Sequence, residues 1–268
     1  MTVINLKQTQ KKAIAGLVCL GWEEVRAHIE AAEQTGAAAV LMVGPNARAA
    51  MPLEIWGAML RLAAERSSAS LVLHLDHART LDDVQRALDA GFSSVMYDGS
   101  MLPLEQNIKQ TRQVVERAQA YGASSEGEIG YVGYENGVQS LGTEPEQATI
   151  FARETGIDMM AVSVGNVHLQ TQSQARIDWQ RLAQLAQINI PLVIHGGSGV
   201  ASSDRLRMAR DYNVRKFNIG TEIRQVFGKA LRARISEDDC FDHLTLLKAT
   251  HAPMRDAAIK ILRELEQA

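Results

Sequence analysis

Apolar residues in this chain fall into two rhythms that alternate from end to end. Short aliphatic runs read as buried strands, because a strand covered on both faces need not alternate with polar residues. The first is Ala13 to Leu20, the second Ala38 to Val43, and the third Val72-Leu73-His74-Leu75-Asp76-His77. Ser94 to Tyr97 makes a fourth, and Ser124 to Glu128 a weaker fifth, rich in small and polar residues. Met159 to Val164, Leu192 to His195 and Val214 to Ile219 complete the set. Between them the spacing becomes that of an amphipathic helix, as over Trp22 to Thr35, Pro52 to Arg66, Trp179 to Gln187 and Ser202 to Tyr212. Thr80 offers a cap to a helix opening Leu81-Asp82-Asp83-Val84, with acids in the turn where the helix dipole favours them. A long helix follows Pro103, and Ile223 to Ala268 reads as two or three more.

Eight strand–helix units in about 220 residues predict an α/β fold, a (β/α)8 (TIM) barrel with extra C-terminal helices. An open doubly wound sheet is the alternative. No linker or shift in composition divides residues 1–268, which are expected to form one domain. Gly130 to Gly142 carries four glycines and no periodicity. A connection of that length in a compact barrel is expected to be functional or mobile.

Composition narrows the classes of function. A net charge of −3 gives no reason to expect nucleic acid or an anionic membrane as partner. Cys19 and Cys240 lie far apart in sequence, form no metal-like spacing and are not expected to pair. No apolar run approaches the ~20 residues of a membrane helix, and the N-terminus lacks a secretory pattern. The expected compartment is the cytoplasm.

The chemistry gathers where strands end. Three histidines, His77, His168 and His195, follow the third, sixth and seventh strands, and Asp76 stands beside the first. In a barrel such ends face the site, and three neutral imidazoles suit zinc with one position left for substrate. His74 lies three residues before His77, so strict alternation puts it on the opposite face, as a structural residue. Asp98 and Glu128 end the fourth and fifth strands, where they could offer another metal position or orient ligands. His195-Gly196-Gly197-Ser198-Gly199 runs into a helix, and Asn218-Ile219-Gly220-Thr221 ends the next strand. Glycine-rich loops after strands seven and eight are placed to hold a phosphate. A metal beside a phosphate site suggests carbonyl chemistry on a sugar phosphate.

These motifs carry a resemblance. HLDHA at 74–78, MYDGS at 96–100, EGEIG at 126–130, VGNVH at 164–168, VIHGGSGV at 193–200 and KFNIGTE at 216–222 resemble the class II, metal-dependent ketose-bisphosphate aldolases of the fructose- and tagatose-bisphosphate type. The resemblance runs from about Ala13 to Arg263. It implies one catalytic Zn2+ per chain on His77, His168 and His195, with Asp98 and Glu128 at a secondary metal position. It implies Asp76 as the acid serving the aldehyde-derived oxygen. Gly196, Gly197, Ser198, Asn218, Ile219, Gly220 and Thr221 would hold the dihydroxyacetone phosphate half. Glu135, on the glycine-rich loop, is the nearest candidate for the carbon base. The implied reaction is reversible cleavage of a ketose phosphate to dihydroxyacetone phosphate and an aldehyde through a metal-stabilised enediolate. No lysine falls at an apparent strand end facing the metal, so no Schiff base is expected. The implied partner is a small sugar phosphate, and a homo-oligomer, dimer or tetramer, is expected.

The departures cluster toward the far end of the substrate. Leu169 stands where the family usually has glycine after the second zinc histidine, and Gln170-Thr171-Gln172-Ser173-Gln174-Ala175 replaces a run with tyrosine and proline. Val18-Cys19-Leu20-Gly21 replaces a Phe-Asn-containing segment, and the loop after the second strand reads Val43-Gly44-Pro45-Asn46-Ala47-Arg48. Arg48 is the candidate to meet a distal phosphate or sulfonate there, against the alternative of a solvated helix-start arginine. Arg255 is the next candidate. The same aldol chemistry on a ketose 1-phosphate with another distal group, such as sulfofructose 1-phosphate, is the alternative reading, and a non-catalytic subunit of an aldolase complex is a further one.

Overall fold

A computed structural model of the chain describes residues 3–9, 12–135, 137–172 and 175–268. Eight strands follow one another around a closed barrel: β1 (Ile14–Val18), β2 (Ala39–Val43), β3 (Leu71–Ala78), β4 (Ser94–Tyr97), β5 (Ser124–Ile129), β6 (Met159–Val162), β7 (Leu192–Ile194) and β8 (Val214–Ile219). Every pairing is parallel, and the ladder from β1 to β8 closes the ring and excludes an open sheet. The outer helices are α1 (Trp22–Thr35), α2 (Pro45–Ala50), α3 (Leu53–Glu65), α4 (Leu81–Asp89), α5 (Leu104–Ala120), α6 (Pro145–Thr155), α7 (Trp179–Leu185), α8 (Ser202–Asp211), α9 (Thr221–Ile235) and α10 (His243–Leu265). The C-terminal region thus holds two helices among the described residues, and α10 packs on α1 and α9.

Two cores explain why the strands read as continuous apolar runs. Outward residues such as Leu41, Leu71, Leu73 and Leu75 join the helices in the larger core. Inward residues Ile14, Val40, Met42, Val72, Met96, Met159, Ala161 and Val193 fill the barrel. Leu6 joins that inner cluster from a 3-10 turn at Leu6–Gln8, whose backbone is tied to Ser124 Oγ. Above this apolar filling the inward positions turn polar: His74, Ser94, Glu126 and Lys216 are all fully buried. Gly16 shows how tight the interior is. A Cβ there would lie 2.6 Å from Met42 Sδ and 2.8 Å from Asn218 Oδ1.

Two local elements differ from the expected pattern. The loop after β2 contains α2, which opens with Pro45 at its first turn. Six residues cannot sustain a helix alone. This one is held by Trp56 of α3, whose Nε1 donates to Ala47 O, and by the Arg48 side chain. Within the aperiodic stretch from Gly130 to Gly142, Tyr131 bridges Leu141 in antiparallel fashion, and Tyr134 bridges His168.

Candidate active site

The end of β3 sets the geometry. Alternation points Val72, His74 and Asp76 into the barrel, and would point His77 out. His77 instead adopts φ 49°, and the pairing with β4 slips between Leu75 and Ala78. The irregularity turns His77 inward beside Asp76, in a conformation that a non-glycine residue adopts at a cost. His74 therefore does not lie on the outer face. It points into the barrel beneath the site, bonded to Ser94 Oγ through Nδ1 (2.8 Å) and close to Lys216 Nζ (3.4 Å).

His195 directly follows β7, whereas His168 lies six residues beyond the end of β6, where its backbone is clamped to the 130–142 loop. The three imidazoles offer nitrogens within 4.8 Å of one another. His77 Nε2 and His195 Nδ1 approach to 2.9 Å. Tyr134 stacks on His168 at 5.0 Å between ring centroids. A second group shares His77: its Nδ1 lies 3.2 Å from Asp98 Oδ2 and 3.6 Å from Glu128 Oε2. Asp98 is further held by Ser100 and Arg79. Glu128 Oε2 is buried and meets no hydrogen-bond donor.

The electrostatics of the cluster favour a cation. Burial acts to strip the proton from His77, but Asp76, Asp98 and Glu128 outweigh it and push the imidazole up to about 9. Burial, reinforced by the His77 charge, drives His168 and His195 well below the ordinary histidine range. Burial also lifts Glu128 to about 8, aided by Asp98. Burial acts upward on Asp98 too, yet its bond to His77 and its contacts with Ser100 and Arg79 hold it far below the usual carboxylate range.

The two loops expected to hold phosphate are brought together. Gly196 sits at φ 62°, where a Cβ would come within 2.2 Å of Val167 O. Gly197–Gly199 forms a single 3-10 turn, and Ser198 Oγ accepts from the backbone N–H groups of Gly220 and Glu222 at the start of α9. Arg205 fixes this junction, donating to Gly197 O and pairing with Glu222 and Glu264. Asn218 Nδ2 reaches Asp76 Oδ1 at 3.4 Å. The Ile219 side chain is buried in the outer core, so only its backbone is free to face a ligand. Thr221 opens α9 with Gly220 as its cap residue.

A cavity of about 140 Å³ opens over the histidines, lined by Asp76, His77, His168 and Tyr134 together with the β1 and β2 loops. Arg48 is absent from its lining. Its guanidinium folds back beneath the rim, donating to Asp76 O (2.7 Å) and His77 O (3.2 Å). The expected distal-anion contact is thus replaced by a clamp on the end of β3. Arg255 is likewise spoken for, pairing with Glu30 across α1 and α10. Glu135 is exposed, and its carboxylate accepts from the Thr171 backbone at 3.2 Å, turned to the neighbouring loop. A cavity of about 310 Å³ at the other end of the barrel, lined by residues such as Gln8, Lys12 and Ser70, gathers no such chemistry.

The family model "Fructose-bisphosphate aldolase class-II" matches residues 2–268. The chain belongs to that family. It is an aldolase, a carbon–carbon lyase, and class II aldolases are generally zinc-dependent. The YdjI aldolase from Escherichia coli K12 superposes with a TM-score of 0.84 at 26% identity, covering 97% of this chain and 93% of that one. A putative fructose-1,6-bisphosphate aldolase from Coccidioides immitis gives 0.85 at 26% identity, over 97% and 94%. Fructose-bisphosphate aldolase from Campylobacter jejuni, at 21% identity, shares the fold with a TM-score of 0.84 over 98% and 95%.

The residues of this aldolase fit a divalent zinc ion. Bonds from His77 Nδ1 to Asp98 and from His195 Nε2 to Glu126 (2.9 Å) place the protons on the far nitrogens. With His77 protonated, its Nε2–H donates to His195 Nδ1 across 2.9 Å, and a bound metal ion would replace that shared proton. Glu126 and Lys216 were not singled out from sequence. Lys216 Nζ lies 2.7 Å from Glu126 Oε2, so a buried ion pair backs the His195 ring. The signal was present: Glu126 shares a face with Glu128, and Lys216 with Asn218, by simple period-two alternation. Arg224, also missed, lines the cavity from α9.

Proposed function

We propose that this aldolase reversibly cleaves a ketose phosphate to dihydroxyacetone phosphate and an aldehyde, with zinc held by His77, His168 and His195. The observation carrying the reading is the convergence of those imidazoles beside Asp76, with His77, His168 and Asp76 lining one cavity and His195 leading directly into the β7 loop that is bonded to the start of α9. Bound zinc would act as a Lewis acid on the ketose carbonyl. The neighbouring Asp98 and Glu128 supply an alternative ligand set through the other nitrogen of His77.

The loops of Gly196, Gly197, Ser198, Asn218, Ile219, Gly220 and Thr221 would bind the phosphate end beside the start of α9, where the helix dipole favours an anion. Asp76, oriented by Asn218, takes the proton from the hydroxyl of the aldehyde half during cleavage and returns it during condensation. Glu135 serves the carbon of dihydroxyacetone phosphate. For that its carboxylate must leave Thr171 and swing inward with the 130–142 loop, whose Tyr134 already covers His168. Lys216 is buried beneath the imidazoles and paired with Glu126, which fits its support of His195 and leaves no free amine for covalent catalysis.

The test is a cleavage screen over ketose phosphates, including 1,6-bisphosphates and 1-phosphates ending in sulfonate or hydroxyl, with dihydroxyacetone phosphate detected enzymatically. Release from at least one, proportional to bound zinc, is expected. Cleavage of none by zinc-loaded protein would overturn the substrate class.

A further inference from the structure

Arg224 is a cation at the site to which the chemistry above gives no task. It sits in the first turn of α9, its backbone N–H bonded to Gly220 O at 3.0 Å. Its neighbours among the basic residues are committed. Arg48 grips the β3 carbonyls, Arg79 meets Asp98, Arg205 joins Glu222 and Glu264, and Lys216 joins Glu126. The Nε of Arg224 is buried and finds no acceptor. Burial lowers its pKa from the ordinary value, and Glu24 opposes this through its charge alone. A guanidinium cannot shed its proton to escape such a place, and with no protein acceptor on its buried Nε the group is held by charge alone, leaving the part that lines the cavity to meet a ligand.

Position says which part of the substrate would bring that acceptor. The cavity is lined by Arg224, Asp76, His77 and His168 together with Val18 and Gly44 of the β1 and β2 loops, and Gly220, where α9 opens, packs against Val18. The Gly197–Gly199 turn does not line it. A ketose with its phosphate on the β7 and β8 loops and its carbonyl at the imidazoles extends its remaining carbons past Asp76, toward the β1 and β2 side. Arg224 lines that part of the cavity.

We propose that Arg224 is the specificity-determining residue for the aldehyde half of the substrate, binding an anionic group at its far end through paired guanidinium hydrogen bonds. The inference rests on the proposed cleavage to dihydroxyacetone phosphate. It names the substrate class more narrowly: a ketose 1-phosphate whose other terminus is a phosphate, sulfonate or carboxylate. The flat fork of arginine matches all three groups, and lysine reproduces only the charge.

The experiment measures condensation of dihydroxyacetone phosphate with aldehydes identical but for a terminal phosphate, sulfonate, carboxylate or hydroxyl. Zinc-loaded wild type, Arg224→Gln and Arg224→Lys are compared, with proton exchange into dihydroxyacetone phosphate followed in parallel. Wild type should prefer an anionic aldehyde, and the rank among the anions identifies the natural terminus. Arg224→Gln should lower the ratio of kcat/KM for anionic over hydroxyl aldehydes roughly 10- to 100-fold, the scale of a charged hydrogen bond, mainly through KM. Arg224→Lys should restore part of that ratio. An unchanged ratio in both variants overturns the proposal. So does a fall in proton exchange as large as the fall in condensation, which would place Arg224 at the phosphate end instead. Absence of exchange in wild type would show that the cleavage reading itself fails, taking the inference with it.

Discussion

Asp76 and Glu135 divide the proton transfers of the proposed reaction, and single substitutions should separate them. Asp76→Ala is expected to keep its zinc and lose cleavage by roughly 10²–10⁴, the scale of a positioned acid or base, while proton exchange into dihydroxyacetone phosphate survives. Steady-state cleavage and tritium exchange on the same preparation check this, and an equal fall in both would tie Asp76 to the carbon step as well. Glu135→Ala should invert the pattern, suppressing exchange first; undiminished exchange would move the base elsewhere on the loop. Glu126 calls for a different readout, because it touches His195 and no substrate. Glu126→Gln keeps an acceptor but leaves Lys216 without its counter-charge, and zinc affinity is expected to fall about 10- to 100-fold, measured by chelator competition. At this scale the sequence was legible where chemistry coincides with a strand end, as for His77, Asp98 and His195. It was opaque where a local kink reversed the alternation, as φ 49° at His77 did for the placing of His74. Glu126 and Lys216 escaped because they lie one layer below the strand ends, inside positions that usually hold aliphatic side chains.

Short elements decide how the rim is built. Helix α2 exists because Trp56 caps it and Arg48 ties it to β3, contacts that lie far outside the window in which a six-residue helix could be recognised. Its opening Gly44-Pro45 did carry a start signal. What was missing was length. The consequence for Arg48 is testable. Lysine cannot span the Asp76 and His77 carbonyls as a guanidinium does, so Arg48→Lys should cost about 1–3 kcal/mol of stability without altering the preference among distal groups. Thermal unfolding and kinetics on matched aldehydes check both halves, and a selective loss for anionic aldehydes would return Arg48 to the substrate. Strand β5 was the weakest in pattern because its inward residues are Ser124, Glu126 and Glu128, so the site itself displaced the apolar signal. The 130–142 loop gives no period because its two bridges, to Leu141 and to His168, bind single residues.

On the scale of the whole molecule, the barrel is an apolar plug below and a polar layer above, with the imidazoles resting on that layer. The order of eight strand–helix units was readable from the chain because parallel strands buried on both faces leave long aliphatic runs. Among the described residues, no helix is long and apolar enough to cross a membrane. The site is a liability without a ligand: Glu128 Oε2 is buried without a donor and Asp76 and Asp98 flank the imidazoles, an arrangement a divalent ion would offset. Zinc should therefore stabilise the fold as well as enable the reaction. The most direct test is deuterium exchange into dihydroxyacetone phosphate, followed by NMR in protein stripped of metal and then titrated with zinc. Exchange should be absent in the stripped protein and rise linearly to a plateau at one zinc per chain. Full exchange in protein free of metal, or none in the zinc-loaded protein, would contradict a class II aldolase built on His77, His168 and His195.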